Sequence, residues 1–174
     1  MKKNILVCGI IGGLITTVMF IITTAITLKG GNFDHGAIYG YTAMILAFSL
    51  IFVGVKNVRD GHDGGVISFG KAFKIGFFIT LIASTIYVIS WLFDYYYFLT
   101  DFAEQYSAHV LEKLKASGAS AAELAKKTAE MASFSQMYKN PFINALLTYM
   151  EILPVGLVVS LISALVLKKK KLAE

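Results

Sequence analysis

The sequence is short of the residues that staple, metallate or activate a small protein. Its single cysteine, Cys8, excludes an intramolecular disulfide and any multi-cysteine metal site. Standing in an apolar run, Cys8 reads as a small packing residue. The three histidines, His35, His62 and His109, fall on separate segments and cannot close a metal triad within one chain. No serine or cysteine has a recognisable base beside it. A phosphate loop is missing too, because GGVISFGK has no serine or threonine after its lysine and no strand leads into it. These absences leave no catalytic constellation, and the expectation is a chain that is not an enzyme and needs no cofactor.

What is present is apolar sequence in long runs. Apolar residues make up 56% of the 174, with a mean hydropathy of +0.67, which exceeds what ordinary soluble domains show. Four runs are long enough to cross a hydrocarbon core of about 30 Å, which takes roughly 20 apolar residues in a helix: Ile5 to Leu28, Ala37 to Val55, Ile75 to Phe93, and Phe142 to Leu167. The alternating pattern of a membrane barrel, in segments of roughly 10 residues, is absent, so the spans are expected to be helices with every backbone group paired internally. The start, MKKNILVCGIIGG, has the basic flank of a secretory signal. Its apolar run continues to Leu28, beyond the usual h-region of about 7–15 residues, and no small-residue cleavage site ends it. It is expected to stay as an anchor.

Basic residues set the orientation, since lysine and arginine are retained on the cytoplasmic side. Lys2, Lys3, Lys56, Arg59, Lys71, Lys74 and the tail Lys168 to Lys171 fall on one side of the predicted spans. The other side holds Lys29 and a long loop whose lysines are outnumbered by Asp94, Asp101, Glu104, Glu112, Glu123 and Glu130. Both termini are therefore predicted cytoplasmic, with the loop outside. The net charge of +5 is an orientation signal; it calls for no nucleic acid, and the tail suits anionic membrane lipids.

Between the third and fourth runs the composition turns charged and alanine-rich. Phe102, Tyr106, Val110 and Leu114 recur at helical spacing, which predicts that the third helix continues outward to about Ser117. Gly118 supplies a stop. Ser120 and Glu123 form a capping box for a second arm, whose facing stripe is Leu124, Thr128, Met131 and Ser135 or Phe134. Asn140 and Pro141 read as the cap and first residue of the fourth helix. The predicted fold class is thus all-α: an integral membrane four-helix bundle with an external antiparallel helical hairpin over residues 94–141, in a single domain. Tyr95, Tyr96, Tyr97 and Phe98 at its base read as an interfacial aromatic belt.

Small residues at four-residue spacing mark close helix packing: Gly9 and Gly13 on the first span, Gly36, Gly40, Ala43 and Ala47 on the second, Gly76 on the third, Gly156 on the fourth. In the loop before the third span, Ser68 is expected to cap a helix lying along the interface, with Lys71 and Lys74 toward lipid phosphates.

GGVISFGKAFKIG, TLIASTIY, the turn KASGAS, MYKNP and EILPVGLVVSLISAL together resemble the family known as domain of unknown function 4199, small four-span membrane proteins of Gram-negative bacteria. The resemblance covers essentially the whole chain. It implies a four-span topology and an inner-membrane address; with no established activity in the family, it implies no catalytic residues.

One carboxylate stands out. Glu151 lies about 13 Å into the fourth span at 1.5 Å per residue, and ionised against lipid at the helix centre it would cost about 2.5–3.5 kcal/mol. It is expected to face the bundle interior, to be protonated, or both, with Thr23, Thr24, Thr42, Tyr87 and Ser90 at similar depth and Pro154 freeing the Met150 carbonyl beside it. The simplest reading of this polar pocket is structural; the functional alternative is a small oligomeric proton- or cation-coupled transporter or channel using Glu151. The main functional expectation is a structural or partner-binding membrane protein that uses its external hairpin to bind another protein or a second copy.

Overall fold

Long apolar runs in lipid or in a core leave a helix as the way to pair each backbone group locally. In the computed structural model, which describes residues 1–30, 36–62 and 64–169, all regular elements among the described residues are helices, apart from one isolated two-residue bridge. They are α1 (Lys2–Gly30), α2 (Gly36–His62), α3 (Phe69–Tyr97), α4 (Phe102–Ala116), α5 (Ala121–Lys139) and α6 (Pro141–Leu167). His35 and the tail lysines Lys170 and Lys171 lie outside the described residues, as do the side chains of Lys29 and His62.

Helices α1, α2, α3 and α6 are long and apolar enough to cross a membrane. Each has 27 or 29 residues, about 40–44 Å at 1.5 Å per residue. In α1, α2 and α3 that exceeds the apolar run because polar turns extend the helix at its ends, while α6 adds only Pro141; the lengths match a bilayer of about 40–45 Å with its headgroup layers. At the start of α3 this corrects the sequence-based picture. No separate interfacial helix precedes the third span: Phe69 to Tyr97 is one helix, and Ser68 caps it directly, accepting from the Lys71 amide at 3.3 Å.

The chain divides into two compact units. The first holds Met1–Val88 and the chain from Tyr149 onward. Its interior is built from Phe48, Ile51 and Val55 of α2, Ile75, Ile79 and Ala83 of α3, and Ile152 and Ala164 of α6, all essentially inaccessible. Small residues let these helices approach. A Cβ added to Gly9 or Gly13 would stand 2.7 Å from the side chain of Ile82 or Ile86, and one on Gly76 would lie 2.8 Å from Ser160. On Gly156 it would overlap Thr80. The Ser160 hydroxyl donates to the Gly156 carbonyl at 2.7 Å, which leaves Thr80 as the donor in its 3.1 Å bond to Ser160. Gly36 and Gly40 are not packing positions: both face open space. On α2 the contact is made by buried Ala43 and Ala47 and by Gly54, where a Cβ would meet Ile79 at 2.6 Å. Beyond α2 the chain turns through Gly64 and Gly65, both at positive φ. Ile67 then pairs with Lys169, exchanging backbone bonds of 3.1 and 2.9 Å, so the start of α3 is clipped to the end of α6.

The second unit is Ile89–Thr148. It takes in the last turns of α3 and the first turns of α6, so it is larger than the hairpin of residues 94–141 expected from composition. Nor does α3 run on to Ser117. It ends at Tyr97, where the Leu99 amide reaches back to the Asp94 carbonyl at 2.8 Å, and α4 restarts at Phe102. No glycine or proline marks this break. Leu99 and Ala103 are buried there, and Phe102 meets the Trp91 ring edge-on at 5.4 Å. Packing thus stops a helix in a run of aromatic residues of modest helix propensity.

Candidate functional site

The hairpin of α4 and α5 is closed by local chemistry at each corner. Gly118, at φ 81°, donates to the Lys115 carbonyl at 3.1 Å, and Ala119 to that of Leu114 at 3.4 Å; this pair of bonds ends α4 in a Schellman motif. Ser120 and Glu123 then form a reciprocal capping box, with the Ser120 amide donating to the Glu123 carboxylate at 2.8 Å and the Glu123 amide to the Ser120 hydroxyl at 3.3 Å. At the far end Asn140 accepts from the Phe142 and Ile143 amides at 2.9 and 3.3 Å, capping α6 with Pro141 as its first residue.

Inside the second unit the helices are joined by aromatic rings. Trp91 and Tyr95 lie 5.4 Å apart, Tyr95 and Tyr138 5.7 Å, Phe134 and Tyr138 4.2 Å, and Tyr106 and Phe134 5.8 Å. The Trp91 indole donates to Asn144 at 2.7 Å, and the Tyr96 hydroxyl donates to the Tyr138 carbonyl at 2.7 Å. The aromatic belt is therefore only half surface: Tyr95 is buried and Tyr96 half-buried, while Tyr97 and Phe98 are exposed. In the facing stripe of α5, Leu124, Met131, Phe134 and Ser135 are half-buried but Thr128 is exposed, its place taken by Lys127. His109 is half-buried. Asn144 escaped notice in the sequence, although an amide inside the run Phe142 to Leu167 was its signal.

The expected polar pocket around Glu151 is not formed. Glu151 and Pro154 are both exposed on the outer side of α6, which runs without interruption through the proline. Among the described residues none donates a hydrogen bond to the Glu151 carboxylate. Two of the threonines expected near it serve their own helices, Thr23 donating to the Met19 carbonyl and Thr42 to that of Ile38, both at 2.7 Å. Tyr87 is half-buried, its ring edge-on to Phe20 at 5.9 Å, and Ser90 is half-buried within the second unit. The polar contact near this level is another one: the Tyr149 hydroxyl donates to Thr85 at 2.8 Å, and Thr85 donates to the Leu81 carbonyl.

Lys71 and Lys74 are exposed on the first turns of α3. With Lys2 and Lys3 of α1 they edge an open cleft of about 830 Å³. Ser68 stands beside it only as the cap of α3.

With this architecture established, comparison with known proteins places the chain. It belongs to the family described as protein of unknown function, DUF4199. The family model matches residues 8–169, from within α1 to the residue that closes the bridge with Ile67. Neither a curated protein nor a solved structure matches the chain.

Proposed function

We propose that this DUF4199 chain is a non-enzymatic, multi-pass protein of a bacterial inner membrane, with both termini cytoplasmic, that presents its α4–α5 hairpin outside as a docking surface. The observation that carries this reading is the organisation of residues 89–148 as a unit with its own aromatic interior and capped corners. A plain connector needs neither. Such a unit holds two helices in fixed register, with Glu112, Lys113, Lys115 and Lys126 on exposed positions where a partner protein or a second copy would read them.

The experiment replaces residues 99–138 by a short Gly-Ser linker and compares chemically cross-linked complexes in native membranes with those of the intact chain. Loss of specific cross-links upholds the reading, and identical sets remove it. Transport through Glu151 within one chain loses support from the exposed position of that residue; what it retains is a form in which copies assemble around it.

A further inference from the structure

The cleft beside α1 and α3 combines two features that one class of ligand satisfies together. Both helices begin at it, so their first turns form a common rim carrying Lys2, Lys3, Lys71 and Lys74. Below the rim the walls are Ile5, Leu6, Phe78 and Ile82.

Cations in the first turn of a helix oppose its dipole. Neither α1 nor α3 has an acidic residue in its first turn to offset them, and Lys2, Lys3 and Lys74 meet no acidic partner among the described residues. Among the described residues, Lys2, Lys3 and Lys74 thus gather positive charge at this rim with no acidic partner to offset it. A soluble anion would answer the lysines but leave the apolar walls wet. A neutral lipid would cover the walls but not the charge.

We infer that the cleft is a binding site for an anionic phospholipid, with the headgroup phosphate among the four lysines and an acyl chain along the α1–α3 wall. The dimensions agree. From Lys71 to Ile82 the helix rises about 16 Å, about half of a hydrocarbon core of ~30 Å, so the cleft has the depth of one leaflet. Its volume falls within the range of roughly 300–1,000 Å³ of small-molecule sites. Basic pockets between spanning helices are where anionic headgroups bind selectively. The inference rests on the membrane placement of the chain and is independent of any role of the hairpin.

Membrane placement is checked first and separately, by retention of the chain in the membrane pellet after alkaline carbonate washing. The purified protein in neutral detergent is then titrated with phosphatidylglycerol, phosphatidylcholine or inorganic phosphate, and bound lipid is counted by native mass spectrometry. Phosphatidylglycerol should bind in preference to phosphatidylcholine. Lys2→Gln, Lys3→Gln, Lys71→Gln and Lys74→Gln combined should weaken it by about tenfold or more. Equal binding of the two lipids, or unchanged binding to the variant, overturns the proposal. Competition by inorganic phosphate at equal concentration overturns the lipid assignment in favour of a free anion. Because the variant removes orientation signals, the wild-type protein provides a second test: phosphatidylglycerol, unlike phosphatidylcholine, should protect these four lysines from amine acylation while Lys126 on α5 stays reactive. Uniform labelling with both lipids counts against the site.

Discussion

The indole of Trp91 on α3 donates to the side-chain oxygen of Asn144 on α6 at 2.7 Å, and Asn144 is fully buried. Thr148 donates to the carbonyl of the same asparagine at 2.9 Å. A buried N–H left without an acceptor costs about 1–3 kcal/mol. Asn144→Ala is expected to destabilise the protein by that amount. Because Trp91 is the sole tryptophan, its emission reports directly: a shift in Asn144→Ala, together with earlier unfolding, is the expected result, and an unchanged spectrum and midpoint would mean the bond contributes nothing.

Glycine substitutions should divide sharply by position. Gly156→Ala places a methyl onto Thr80, and Gly76→Ala one at 2.8 Å from Ser160; overpacking of this kind costs about 1–3 kcal/mol. Gly40 has open space around it, so Gly40→Ala should be neutral or stabilising by about 0.5–1 kcal/mol through lower backbone entropy in the unfolded chain. Thermal unfolding in detergent checks all three, and equal effects would contradict the packing described above.

That contrast shows what a sequence conveys about such a fold. The four apolar helices, the Gly118 stop, the Ser120 cap and the Asn140–Pro141 junction were legible because each depends on local periodicity or on a backbone group close in sequence. Spacing alone identified Gly9, Gly13, Gly76 and Gly156 as small, but it assigned Gly40 the same role because a small-residue pattern does not say which face meets a neighbour. The break at Tyr97 was invisible for a related reason: it comes from burial of Leu99 and from Phe102 against Trp91, contacts set by tertiary packing. The rotation of α6 likewise decided the fate of Glu151, and an apolar helix has too little amphipathic pattern to reveal its rotation.

The α5 cap should be acid-sensitive. The Glu123 carboxyl is held below its usual range by the Ser120 hydroxyl, and further by the Ser120 backbone N–H. A depressed value in the folded state means that this stabilisation is fully present above the ordinary carboxylate pKa and is lost as pH falls through the folded one. Glu130, lowered by its hydrogen bond from Lys127, has the same sign. Amide exchange protection at Ser120 and Glu123 should therefore hold at about pH 6 and fall as the pH is lowered below the ordinary carboxylate range. Glu123→Gln, which keeps an acceptor but not the charge, should flatten that dependence; protection that is independent of pH in the intact chain would exclude the mechanism.

Glu151 offers the clearest choice between a single chain and an assembly. On α6 it lies exposed beside Pro154, and no described residue donates to its carboxylate. Removing a group without protein partners should not destabilise the protomer, whereas an ionised carboxylate facing lipid costs up to about 2.5–3.5 kcal/mol at the helix centre. Glu151→Leu is therefore expected to leave thermal stability in detergent unchanged or raised, with unchanged mass by light scattering. A loss of stability together with a fall in mass would show that Glu151 is covered by a second copy, and the same variant in proteoliposomes should then lose any proton or cation flux. Stability retained, mass retained and no flux in either protein would leave the carboxylate a tolerated surface group.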